Sequence, residues 1–140
     1  MKILLAVDGS KNSEDAARHV VRLAKELASP PSLLLLNVDM PLMQAAAVKL
    51  GAKAVARYHA GNGEYAITGA KRILTRARLA FDTQLLVGDA AEQIAAAAAK
   101  QRVDLIVMGS RGLTAFKGLL LGSVASKVLA RSALPVTLVR

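Results

Sequence analysis

The sequence has no cysteine and no tryptophan, and only two tyrosines and two phenylalanines among its 140 residues. Without cysteine there is no disulfide framework and no thiolate chemistry. That absence fits a reducing compartment, and a cytoplasmic location is expected. The four aromatics, Tyr58, Tyr65, Phe81 and Phe116, give little for stacking on bases, so nucleic acid is not an expected partner. Long apolar runs are missing too. The longest, Ile94–Ala99, is six residues, against roughly 20 for a bilayer span. No membrane partner is expected. The apolar start Ile3–Val7 stops at Asp8, short of the roughly 7–15 residues of a secretory signal. A first β-strand is the better reading.

Acidic residues are also few: 10 Asp and Glu against 19 Lys and Arg, for a net charge of +9. Such a balance can attract nucleic acid, anionic membrane or acidic proteins. Residues 49–78 hold Lys49, Lys53, Arg57, Lys71, Arg72, Arg76 and Arg78 against Glu64 alone. A solvated basic helical surface is the expectation for that stretch.

What the chain does have is apolar residues, 54% of the total, with a mean hydropathy of +0.38. Much of this is alanine, a good helix former. The length suits one domain over 1–140 with a real core. Ile3–Val7, Leu33–Val38, Leu85–Val87, Leu105–Met108 and Pro135–Val139 are short apolar runs, the pattern of strands buried on both faces of a parallel sheet. Between them apolar residues recur at helical spacing: Ala16, Val20, Leu23 and Leu27; Ala91, Ile94, Ala95 and Ala98; Val124, Val128 and Leu129. Ser10 or Ser13 suits the cap of the first helix, and Ser29-Pro30-Pro31-Ser32 stops it. The stretch 41–81 reads as two helices, around 42–58 and 64–80, broken at Gly61-Asn62-Gly63. The order β-α-β-α-α-β-α-β-α-β implies a doubly wound α/β fold, mostly parallel, with helices on both faces.

The most informative segment is Met108-Gly109-Ser110-Arg111-Gly112, followed after nine residues by Gly122-Ser123-Val124. It joins the carboxyl end of a buried strand to a helix N-terminus, where free N–H groups and a partial positive charge favour an anion. Glycine admits a phosphate close to the backbone. The Ser123 hydroxyl can donate to a phosphate oxygen, or simply cap the helix. Arg111 and Lys117 are candidate countercharges, Arg111 the better for its forked geometry. Neither the Walker-type phosphate loop nor the dinucleotide G-x-G-x-x-G occurs. Asp8-Gly9-Ser10 ends the first strand. If that strand is central, Asp8 and Gly109 flank the crevice where strand order reverses. Asp8 can accept from a ribose hydroxyl or a base, or can serve only the turn. Val38 can wall an adenine, or be plain core.

At these residues the chain resembles the universal stress protein family. Gly109, Gly112, Gly122 and Ser123 match that family's G-x-x-G, nine residues, G-[ST] nucleotide signature without a gap. The resemblance covers essentially the whole chain. It implies a single doubly wound five-stranded parallel sheet in the order 3-2-1-4-5. It implies ATP, ADP or AMP as ligand, with or without Mg2+. Ala6, Val7 and Asp8 would contact it at the end of the first strand, and Val38 would line the adenine. Met108, Gly109, Arg111 and Gly112 would wrap ribose and phosphates. Gly122, Ser123 and Val124 would cradle the phosphate tail. It also implies a homodimer paired through Val136–Val139, an exposed edge that suits pairing. Asn37 stands where many members carry His, and Ala90 where Pro is frequent.

No residue makes a persuasive catalytic base. His19 and His59 read as surface or structural, and only Asp8, with Asp39 further off, offers a carboxylate. The expected function is nucleotide binding in a stress or regulatory role, with at most slow ATP hydrolysis. A weak ATPase and a nucleotide-free module docking through its basic surface are the alternatives.

Overall fold

The structure is a computed structural model and describes residues 1–113 and 120–140. Its elements run β1 (Lys2–Ala6), α1 (Lys11–Glu26), β2 (Ser32–Asp39), α2 (Gln44–Leu50), α3 (Ala52–Arg76), β3 (Phe81–Val87), α4 (Ala90–Lys100), β4 (Leu105–Gly109), α5 (Ser123–Arg131) and β5 (Val136–Val139). All pairings are parallel, in the order β3-β2-β1-β4-β5. The expected sheet and strand order are therefore present. No helix among the described residues is long and apolar enough to cross a membrane.

The continuous apolar runs follow from where the strands lie. Side chains alternate between the two faces of a sheet. Leu4, Ala6, Leu34, Leu36, Ile106 and Met108 pack on one face against Ile94, Ala98, Ala125 and Val128 of α4 and α5. Ile3, Leu5, Val7, Leu33, Leu35 and Val107 pack on the other against α1 and α3. Both faces of β1, β2 and β4 are covered, so the central residues of these strands are apolar, and the one buried polar side chain among them, Asn37, is hydrogen-bonded. The edge strand β3 is longer than its apolar portion suggested. Asp82 and Thr83 are exposed at that edge, where polar side chains cost nothing.

The helices of the 41–81 stretch differ from the sequence expectation. The break falls at Gly51, which takes φ +82°, and α3 runs unbroken through Gly61-Asn62-Gly63. A Cβ on Gly63 would sit 3.0 Å from Leu85 Cδ1, so this glycine lets α3 lie close on β3. Asn62 turns its side chain to Asp39. Neither is a helix stop. All seven basic residues of 49–78 are exposed, as the charge pattern implied.

Candidate functional site

β1 is the strand about which the order reverses: β2 lies on one side of it and β4 on the other. In open α/β sheets this is where a crevice forms beyond the carboxyl strand ends. Two residues past β1, Asp8 organises the turn. Its Oδ1 accepts from the Ser10 amide at 3.0 Å and from the Ser13 hydroxyl, while its own amide donates to Ser13 Oγ at 2.9 Å. Ser10 caps α1 by accepting from the Ser13 amide. Gly9 takes φ +84°, and a Cβ there would lie 3.2 Å from Ala66 Cα, so α3 presses directly on the turn. Asp8 Oδ2 reaches across the crevice and accepts from the Leu113 amide at 3.1 Å.

The glycine loop closes on the other side. Gly109 ends β4 opposite Val139, and the Ser110 amide donates to the Val139 carbonyl at 2.7 Å. A Cβ on Gly109 would stand 2.8 Å from Asn12 Cβ, so α1 itself demands glycine there. At Gly112 a Cβ would meet Asp8 Oδ2 at 2.6 Å. The Gly122 amide donates to the Ser110 carbonyl at 2.7 Å, and a Cβ on Gly122 would lie 3.3 Å from Arg111 Cα. The two halves of the glycine pattern thus meet, although they are separated in sequence. Gly122, not Ser123, is the N-cap of α5, and among the described residues no side chain caps that helix. Ser123 is its exposed first residue. The N-terminal amides of α5 keep their capacity to bind an acceptor. Beside Gly109, Ser110 Oγ and Asn12 Nδ2 are buried and find no hydrogen-bond partner among the described residues.

The structure brings Asp8, Gly109, Arg111, Gly112, Gly122 and Ser123 to one end of the sheet. Ala6 and Met108 are register neighbours there, both buried in the α4–α5 core, and Val7 is buried on the opposite face. Val38 and Val124 are half-buried against the α4–α5 core. Lys117 lies outside the described residues. A separate groove of about 410 Å³ between α1 and α3, lined by Arg18, Lys25, Ile73 and Arg76 among others, opens at the far end of those helices.

Sequence reasoning missed several supporting residues. Asn37 is buried and its Nδ2 donates to the Val7 carbonyl at 2.8 Å, tying β2 to the end of β1. Ser13 carries a visible signal, a hydroxyl five residues after Asp8, but its position in the sequence suggests only a cap. Of the two alternatives for His59, surface or structural, the structure takes the second: the ring is nearly buried and bonded to Asp39. Burial pushes the Asp39 carboxyl up, but hydrogen bonds from His59 and Asn62 outweigh it and hold the group below its ordinary value.

Comparison with known proteins agrees with this architecture. A universal stress protein of Thermus aquaticus is 36% identical, with 99% of this chain and 97% of that one covered. Universal stress protein MJ0531 of Methanocaldococcus jannaschii is 30% identical, covering 99% and 81%. Among solved structures, the hypothetical protein MJ0577 superposes with a TM-score of 0.83 at 28% identity over 99% of this chain and 94% of that one. A universal stress protein in complex with cAMP superposes at 0.70 and 24% identity, covering 100% and 97%. One from Archaeoglobus fulgidus in complex with dAMP also superposes at 0.70, at 20% identity, covering 100% and 98%. The model of the universal stress protein family matches residues 1–140, and the chain belongs to that family.

Proposed function

We propose that the chain is one nucleotide-binding domain over 1–140 that holds ATP, or ADP or AMP, in a stress or regulatory role in the cytoplasm. The observation that carries this is the closure of the glycine loop: Gly122 donates to Ser110, while no side chain among the described residues caps the first amides of α5. A phosphate at that point would meet free N–H groups and the positive end of the helix. Ser110 Oγ and Asn12 Nδ2, buried donors without an acceptor among the described residues, support the same reading. Arg111 supplies countercharge. The strand ends at Ala6, Val7 and Met108 would offer backbone to the base and ribose. Val38 would line the base, and Gly109, Gly112, Ser123 and Val124 the phosphate path. Relatives of this fold solved with cAMP and dAMP lend support for an adenine nucleotide.

Hydrolysis is at most slow in this reading. Both oxygens of Asp8 already accept hydrogen bonds from the protein, which suits holding a loop better than taking a proton from water. No group of three or more acidic or imidazole side chains gathers for a metal among the described residues, so Mg2+ would be held chiefly by the phosphates. The half-buried edge Val136–Val139 suits pairing with a second copy.

The test is to denature purified protein and identify released nucleotide by mass spectrometry, then titrate stripped protein with ATP and AMP. Released adenine nucleotide and saturable heat are expected. Protein that carries none and gives no heat with either would overturn the reading.

A further inference from the structure

The carboxyl end of β2 carries a polar cluster that nucleotide binding does not itself require. Asp39 Oδ2 faces His59 Nδ1 at 2.6 Å and accepts from Asn62 Nδ2 at 2.9 Å. A carboxylate only accepts, so Nδ1 carries the proton. The His59 ring is 10% exposed and packs edge-on against Tyr58, with centroids 5.3 Å apart.

What the cluster holds stands outside the core. α2 buries none of its residues, and α3 buries none before Gly63. Among the described residues, the only side-chain hydrogen bonds from residues 44–62 to the sheet are those of His59 and Asn62 to Asp39. A helical segment with so few buried contacts opens easily unless something pins it. Its position gives the pin a use. Asp39 directly follows Val38, and one turn beyond Asn62 the Ala66 backbone packs on the Gly9 turn beside Asp8. The middle of α3 therefore runs along the crevice from the end of β2 to the end of β1.

We propose that Asp39, His59 and Asn62 form a tether that seats the first half of α3 against the end of β2 and so positions the crevice wall that α3 forms beside the Gly9 turn and Asp8 for a bound nucleotide. The ligand part of this rests on the nucleotide reading above; the tether does not. The three are positioning residues, acting through α3. The polar pair is suited to the place because hydrogen bonds to a part-buried carboxylate are directional and roughly twice as strong as neutral ones. An apolar contact at the same point would slide.

Amide hydrogen exchange on the full chain without nucleotide tests the tether. His59→Ala and Asp39→Asn should speed exchange of amides 52–62 by about tenfold to a hundredfold, the range for a charge-assisted bond, while amides of β1 and β4 keep their rates. His59→Asn places an amide donor near the lost Nδ1 and should restore most of the protection. Unchanged rates at 52–62 overturn the tether. So does equal acceleration in β1 and β4, which marks a contribution to global stability alone. AMP titration tests the positioning: affinity should fall severalfold in His59→Ala and recover in His59→Asn. Equal affinity in all variants overturns the positioning role. A wild type that binds no AMP fails the nucleotide reading, and the exchange data still decide the tether.

Discussion

The carboxylate of Asp8 occupies the space that a side chain at position 112 would need: a Cβ on Gly112 would lie 2.6 Å from Asp8 Oδ2, the oxygen that accepts from the Leu113 amide at 3.1 Å. A side chain at 112 would thus compete with the Asp8–Leu113 hydrogen bond, apart from anything a phosphate requires. Gly112→Ala, and Gly112→Val more so, should drive Asp8 off the Leu113 amide and open the loop. Affinity for ATP or AMP in calorimetric titration should drop at least about tenfold, equivalent to about 1.4 kcal/mol. Retained affinity in a folded Gly112→Val protein would contradict this role of the contact.

Gly109 is constrained from another direction. A Cβ there meets Asn12 Cβ at 2.8 Å and the Asn12 carbonyl carbon at 3.0 Å, both on the first turn of α1. Overpacking of this kind costs about 1–3 kcal/mol. Gly109→Ala should lower the urea midpoint accordingly, with or without nucleotide. A midpoint equal to wild type would mean that α1 yields freely.

Asn37 is 5% exposed, and its amide satisfies the Val7 carbonyl. Asn37→Ala leaves that buried acceptor without its donor, at about 1–3 kcal/mol. The loss should appear in equilibrium unfolding. An undiminished midpoint would require another donor to reach Val7.

Asp39 carries a pH signature. Its folded carboxyl sits below the ordinary 3.8 because the bonds from His59 and Asn62 outweigh burial. A depressed carboxyl contributes stability that is present above its unfolded value and is lost as pH falls through the folded one. The difference in unfolding midpoint between wild type and Asp39→Asn should therefore be steady above about pH 5 and shrink as the pH drops below 3.8. A difference independent of pH across that range would deny the shift.

The alternation of apolar runs with helical stripes was enough to read the α/β class, and the spaced glycines and Ser123 marked the loop. What defeated sequence reasoning was 41–81. Gly61-Asn62-Gly63 has the composition of a turn, yet Gly63 is glycine because Leu85 lies against it, and Asn62 is paired with Asp39. Local propensity carries no information about such partners. Gly51, whose positive φ does break the helix, looked no different in the sequence.

By itself, the sequence determined that β1, β2 and β4 are buried on both faces, since continuous apolar residues cannot present either face to water. It also determined that a glycine loop leads from β4 into α5. Only the tertiary structure decided why each glycine is there. Asn12 excludes a side chain at Gly109, the hydrogen-bonded carboxylate of Asp8 crowds one at Gly112, and the Arg111 backbone crowds Gly122. These are contacts between segments up to about a hundred residues apart. A spacing pattern records that room is needed, and the neighbour that takes the room appears only when the chain is folded.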